Sequence, residues 1–598
     1  MKRVRLLYVL PLLLGTLSSC NDMWEEKTNN EWEPKYIWSV AEIAQGVLYN
    51  AYSAIPKRPD NYGNNFLDAA TDNALTSQYS SSVYKIATGK FSAVDNPLGI
   101  WSNCYQQFQY INSFLENGLT DATRYDRVDA EKDATYKKRL KGEAHFLRAF
   151  WGFRLLQQYG GKTEDGRALG YPLAIHFITE EEATNVTSFE RDTYQKCAEQ
   201  IMADCDLAME CLPTVYSGSD PVFGDTEIGR ATKLAAAALK SRTALYAASP
   251  AYQSDALTKI SEMGKFTVIN ATAYADNWAT AAMIADEVLK MDGFGDFYGL
   301  KAADLADAGN ATPGEFLLRT YHNTKELETR HFAPYYLGKA GTVPSQNLVD
   351  AFPMKNTGYP ISSDVAKSGY DDKHPFDGRD NRFYLNIYYH GVQYGNTGLP
   401  VDVIYGGKDS QSYDFQSSRT GYYLAKFLSK NESMLDPITS SNAQHYYPIL
   451  RKGEVFLNYA EAANEAWGPK GKDPDGICKY TAYDVIKIIR KTSGGITDTK
   501  YMDEMAADKA SFRKLIQNER RLELAFENQR YYDIRRWLLP LSEPVRGVVV
   551  IKGEQDVLSF EYKEVEARKF DNIRYYYSPL PYDECVKNPN FVNNLGWK

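Results

Sequence analysis

The chain has 598 residues and a formal charge of −9, from 68 basic against 77 acidic side chains. That length leaves room for a large core, and at ~100–200 residues per domain it would allow three or four domains. A mildly acidic chain without basic clusters argues against nucleic acid as partner, because such binding leans on phosphate neutralisation.

Lys2, Arg3 and Arg5 precede a short apolar run, Leu6 to Leu14, and then Leu17-Ser18-Ser19-Cys20. Such a run rises only about 13 Å as a helix, against ~30 Å of hydrocarbon in a bilayer. It reads as a leader and not as a membrane span. Small residues before Cys20 resemble a bacterial lipobox, so residues 1–19 are expected to be a lipoprotein signal peptide and Cys20 the lipidated residue. An ordinary signal peptide with an incidental cysteine is the alternative. Residues 20–35 carry Asp22, Glu25, Glu26, Glu31 and Glu33 and read as a solvated tether.

Helical signals dominate the rest, and they favour one continuous domain over 36–598, with halves at about 36–291 and 292–598. Helices are predicted at about 40–54 and 98–117. In 143–159, Phe146, Ala149, Phe150 and Phe153 share one face at i, i+3, i+4, i+7, and Gly160-Gly161 is expected to end the helix by a left-handed cap. Residues 193–212 follow, stopped by Pro213. The alanine-rich stretch 230–248 stops at Ser249-Pro250, and its Ala235 to Ala238 leave room for a close neighbour. Further helices fall at about 277–290, 453–467, 480–491 and 510–528. Several form helix–turn–helix pairs of tetratricopeptide type, though without a clean ~34-residue period.

Between them lie long stretches rich in tyrosine, glycine and asparagine, chiefly 56–97, 161–190, 292–345 and 355–445. Loops of that length are functional, disordered or strand-bearing. Phe316-Leu317-Leu318 and Val548 to Ile551 suggest minor strands. The 45 tyrosines combine an apolar ring with a polar tip, which suits wet binding surfaces and sugar faces, while most serve as half-buried packing.

Enzyme signatures come close without matching. Gly161-Lys162-Thr163 ends like a phosphate loop, but Leu156 stands where the first glycine is needed. Gly293, Gly295 and Gly299 miss the dinucleotide spacing by one residue. Neither H-E-x-x-H nor G-x-S-x-G occurs, and His145 on its apolar helix reads as a packed histidine. Paired carboxylates for glycoside hydrolysis are neither selected nor excluded. After Cys20, six cysteines remain without a C-x-x-C, and they read as buried free thiols rather than a zinc or redox site. The densest charge cluster runs from Gln517 to Trp537. Its alternating Glu and Arg favour an interlocked structural network over capture of an acidic ligand.

This cluster also carries a resemblance. Asn518 to Glu527, followed by Tyr532-Asp533-Ile534-Arg535-Arg536-Trp537, is similar to the C-terminal signature of the SusD/RagB family. Gly142 to Ala149 with Tyr159-Gly160, Gly229 to Lys233 through Pro250, Asp350 to Met354, Arg451 to Ala462, Lys587-Asn588-Pro589 and Gly596-Trp597 agree in order. The family's T-D-E appears as Thr71-Asp72-Asn73, so no acidic role carries over to position 73. The resemblance implies an all-α, tetratricopeptide-like helix-pair scaffold with long inserted loops and a few minor strands. It also implies binding without bond cleavage, a lipid anchor in the outer membrane, a partner TonB-dependent, SusC-like transporter and no cofactor.

The ligand expected is a glycan, with a peptide as the alternative and a lipid-anchored hydrolase as a third reading. Rings to stack on sugar faces and polar groups to bond hydroxyls are sought in the insertions. The candidates are Asp72, Asn73, Gln78, Tyr79 and Tyr84 in the first, and Tyr321, Asn323, Tyr335 and Tyr336 in the second.

Overall fold

The computed structural model describes residues 34–253, 271–306, 314–431, 435–436, 438–570 and 572–597. The leader and Cys20 lie outside these residues, as does nearly all of the tether, whose last residues open a short helix, Pro34–Ser39.

The major helices are α1 (Ala41–Ser53), α2 (Trp101–Asn117), α3 (Ala130–Tyr159), α4 (Tyr194–Cys211), α5 (Lys233–Ala248), α6 (Ala271–Lys290), α7 (Lys452–Trp467), α8 (Ala482–Thr492), α9 (Lys509–Glu523) and α10 (Arg530–Arg536). From α1 to α7 each packs on the next in chain order, and α7 then takes α8 and α9. That serial stacking is how helix-pair repeats bury a continuous core. Local chemistry sets the ends. Thr193 and Thr232 cap α4 and α5 by accepting from the amides of Lys196 and Ala235. Ser249 is extended ahead of Pro250 and halts α5.

Two expectations are corrected at α3. The helix begins at Ala130, where Asp129 accepts from the amides of Glu131 and Lys132. Its first turns are mostly polar and give no apolar period. At the other end Gly160 is extended (φ −62°) and not left-handed. Glycine is required there by space, since a Cβ would meet the Leu156 carbonyl at 2.4 Å and the Tyr194 ring at 2.6 Å. Gly142 plays a similar part where α3 meets the end of α4, a Cβ there lying 2.7 Å from that of Cys211.

Between α6 and α7 the chain leaves the array for residues 291–451. Together with parts of 66–75 and 522–550, this segment builds a second core around Phe66, Phe332, Phe352, Phe383, Tyr394, Tyr422 and Val548. Its strands are β1 (Ala74–Thr76), β2 (Phe316–Thr324), β3 (Thr342–Pro344), β4 (Ala443–Arg451), β5 (Val545–Lys552) and β6 (Leu558–Glu566), which pair β1 with β3, β2 with β4, and β5 with β6, all antiparallel.

A buried ionic lattice joins the cores. Arg451, at the end of β4, reaches Glu527 (2.8 Å), Glu315 (2.8 Å) and Glu523 (3.1 Å). Arg382 meets Asp380 and Glu519, each at 2.7 Å, and Arg490 takes the other oxygen of Glu519 at 2.7 Å. The charge cluster read from sequence is thus a scaffold. The six described cysteines are all free, four of them buried and Cys211 and Cys585 half-buried.

Candidate functional site

The β1–β3 pairing fixes the geometry of the candidate surface. Asn73 accepts from the Ser345 amide (2.9 Å) and Ser77 donates to the Gly341 carbonyl (3.0 Å), which draws the first and second insertions together. On one side lie Tyr79 and Tyr84, edge-to-face with centroids 5.2 Å apart. On the other the turn Pro334–Tyr336 presents Tyr335 and Tyr336, also 5.2 Å apart and nearly perpendicular. Tyr79 and Tyr335 are each more than half exposed.

A third segment, residues 405–419, braces both pairs. The Arg419 guanidinium lies 4.7 Å from the centroid of Tyr79 and is itself fixed by Glu566 (2.6 Å) and the Val565 carbonyl (3.0 Å). Tyr413 meets Tyr335 at 6.4 Å, and the Lys408 ammonium stands 5.3 Å from Tyr335 and 5.0 Å from Tyr336. Tyr405 (72% exposed) and Phe415 (79% exposed) project from the same segment. These five residues were not selected from sequence. The available signal was aromatic residues spaced through a Gly/Ser/Asp-rich stretch, Tyr405-Gly-Gly-Lys-Asp-Ser-Gln-Ser-Tyr413-Asp-Phe415.

Leu337 closes the 334–336 turn at φ +65° and is 60% exposed. A branched residue in the left-handed region is strained, and the strain lies beside Tyr335 and Tyr336.

The base of the bracing segment is a buried carboxyl. Asp409 accepts from the Asp402 amide (2.8 Å), and its own carbonyl accepts from the Tyr423 hydroxyl (2.7 Å). Burial pushes the Asp409 carboxyl up to about 6, against the Asp402 amide and Lys408, while the Asp402 charge adds to the rise. A raised carboxyl keeps its proton longer in the folded chain, so stability falls as pH climbs from about 4 to 6 and the penalty is complete above 6. Asp409→Asn is therefore expected to raise the melting midpoint at pH 7.5, worth about 1–3 kcal/mol. The gain should fade towards pH 4 in a thermal-melt series. A gain independent of pH would assign it to another cause.

Asp72 and Asn73 are corrected. Asp72 is clamped by Arg530 through two hydrogen bonds (2.9 and 2.8 Å) and by Arg521 (3.0 Å). Burial alone would raise its carboxyl, but Arg521 and Arg530 outweigh burial and hold it well below the usual carboxylate range. Asn73 is fully buried, donating to Asp68 (3.0 Å) and accepting from Arg521 (2.7 Å). Their polar atoms serve the scaffold. Gln78 is half-buried at the edge of the surface.

Tyr321 and Asn323 are exposed but face another region. They line a cleft of about 580 Å³ between α1, residues 226–230 and β2, with Tyr49, Tyr52, Lys57 and Arg230. No residue of the Tyr79 or Tyr335 clusters lines that cleft.

Among the described residues no group of three or more His, Cys, Asp and Glu side chains is gathered to hold a metal ion, and no helix is long and apolar enough to cross a membrane. The surface offers flat apolar ring faces flanked by cations and amides, the chemistry that receives ring-shaped polar molecules.

Serial helix pairs with a large insertion that carries its own core define a tetratricopeptide-like, all-α scaffold. Two family models divide the chain: that of the SusD family matches residues 314–597, and one described as starch-binding associating with outer membrane matches residues 22–245. The chain belongs to the SusD/RagB family. It is similar to the crystal structure of a SusD-like protein from Bacteroides fragilis, with 25% identity, 94% of this chain and 98% of that chain covered, and a TM-score of 0.69. A SusD-like carbohydrate-binding protein from the same species aligns at 21% identity over 93% and 99% of the two chains, TM-score 0.67. SusD-like protein P2 of Formosa agariphila is 30% identical over 157 residues, a match that spans only 26% of either chain.

Proposed function

We propose that the protein captures a glycan on the surface formed by Tyr79, Tyr84, Tyr335, Tyr336, Tyr405, Tyr413 and Phe415, and cleaves nothing. The observation that carries this reading is that three segments distant in sequence converge to hold rings exposed, two of them flanked by the cations Arg419 and Lys408. Exposed rings cost solvation unless a ligand covers them. The printed description of the family model and the carbohydrate-binding relative support a sugar as that ligand. In the same proposal Cys20 carries the lipid anchor, the protein stands on the outer face of the outer membrane, and the glycan passes to a TonB-dependent, SusC-like transporter.

The test is affinity electrophoresis of the purified protein against a polysaccharide panel. Retardation by at least one glycan is expected, weakened about 3–10-fold by Tyr335→Ala or Tyr79→Ala, as befits one ring contact each. Tyr582→Ala, exposed but no part of the proposed surface, should change nothing. Retardation that survives both site substitutions would place the ligand elsewhere. Shortened products would make the protein an enzyme, and binding of peptides in place of all glycans would change the ligand class.

A further inference from the structure

The cleft beside Tyr321 is one half of a longer trough. A second cavity, of about 420 Å³, lies against residues 214–216, Leu234 and the start of β2, and shares Ile228, Gly229, Arg230, Leu318 and Arg319 with the first. Every residue of β2 from Phe316 to Asn323 lines one cavity or the other. Side chains alternate between the two faces of a strand, so a wall that shows consecutive residues is made by the strand's edge.

That edge is open. β2 pairs with β4 alone, and among the described residues the backbones of Thr320 to Asn323 bond to no other segment. In an antiparallel pair every second residue turns its N–H and C=O away from the partner strand, and here those groups meet the trough. Sheets commonly blunt such edges with bulges, proline or lysine. The bulge in β2 ends at Arg319, and the register runs unbroken from there to Thr324.

The lining sets the chemistry of an added strand. Among the described residues of the trough Glu227 is the one carboxylate. It is shared by Arg139 (2.9 Å) and Arg230, and Glu143 behind it takes the same two arginines at 3.1 and 3.2 Å. Lys57 in the first cavity and Lys452 in the second are in no ion pair with a described residue, and they set the sign of the trough. Val215 (64% exposed) and Ile228 (44% exposed) add apolar contact at the Lys452 end.

We propose that the open edge of β2 takes an extended, acidic segment of a partner protein as an added strand. Its backbone pairs with Thr320 to Asn323, its carboxylates face Lys57 and Lys452, and an apolar side chain rests on Val215 and Ile228. The trough shares no lining residue with the aromatic surface, so the proposal stands whether or not a glycan binds there.

The probe is the acetylated peptide Glu-Val-Glu-Val-Glu-Val-Glu, followed by fluorescence anisotropy and by hydrogen exchange of the purified protein. Saturable binding is expected, and at about ten times Kd the fast-exchanging amides between Thr320 and Asn323 should slow about tenfold. Methylating alternate peptide nitrogens, which removes the pairing donors, should abolish binding, as should lysine in place of each glutamate. Lys57→Glu, at an exposed position, should weaken it about 3–10-fold. Absence of binding at millimolar peptide overturns the proposal. So does binding that survives methylation or leaves Thr320 to Asn323 unprotected. Protection of these amides by self-association of the protein alone would make the occupant a second copy, and overturns it equally.

Discussion

Asp533→Ala is expected to destabilise the protein by about 3–5 kcal/mol, the cost of leaving a buried charge without its partner. Asp533 lies between two arginines that are fully buried. Arg520 donates to it at 2.9 and 3.0 Å, and Arg536 at 2.8 Å. Arg536 also holds Glu461 on α7, which in turn accepts from the Trp537 indole at 2.6 Å. Removing the carboxylate strands Arg520 most severely, because its remaining close partner is the neutral Asn458 amide at 2.8 Å. Burial opposes ionisation of Asp533, but both arginines outweigh it and hold the carboxyl below its usual range. Its contribution is therefore complete at neutral pH and is lost as pH falls through that depressed value. Urea denaturation of wild type, Asp533→Ala and Asp533→Asn checks this. A loss under 1 kcal/mol would mean that solvent or rearranged side chains compensate both arginines.

The second large effect falls on Asp72, where a stability test and a binding test separate two roles. Asp72→Ala releases Arg530 and Arg521 together, in a site where the carboxylate is about a tenth exposed. About 3 kcal/mol of stability should disappear. Glycan affinity per folded molecule should stay within twofold of wild type, since the carboxylate is engaged by scaffold arginines. A ligand-binding Asp72 would give the reverse pattern, with stability kept and affinity lost.

The sequence reading of Asp72 shows where residue chemistry misleads. A carboxylate in a polar, tyrosine-rich loop looks available for a hydroxyl. What removes it from the surface is a pair of arginines more than 400 positions later, a pairing without local signature. Tyr79 and Tyr335, by contrast, were selected for ring chemistry and do stand exposed. The helices were legible because burial on one face writes a period into the chain, as in Phe146, Ala149, Phe150 and Phe153. That signal fails where a helix is solvated, as in the first turns of α3. It fails again in β4, whose Ala443-Gln-His-Tyr-Tyr-Pro-Ile-Leu-Arg451 carries an unclear alternation, since its pairing with β2 across the fold decides its state. Residues 405–419 were missed for a related reason. Their place beside Tyr79 and Tyr335 is decided by contacts with distant residues, such as Arg419 with Glu566 and Tyr405 with Val550, not by their own composition.

The excursion between α6 and α7 has a consequence for how the family diversifies. Because α6 packs directly on α7, residues 291–451 leave the array and return to it at neighbouring positions. The entropic cost of such a closed segment grows only with the logarithm of its length. Mutation can lengthen, trim or recolour this segment's share of the aromatic surface without shifting the register of either helix. Tyr335, Tyr405, Tyr413 and Phe415 can thus be rebuilt inside one closed segment while Tyr79 and Tyr84, which reach the surface from the segment before α2, stay in place.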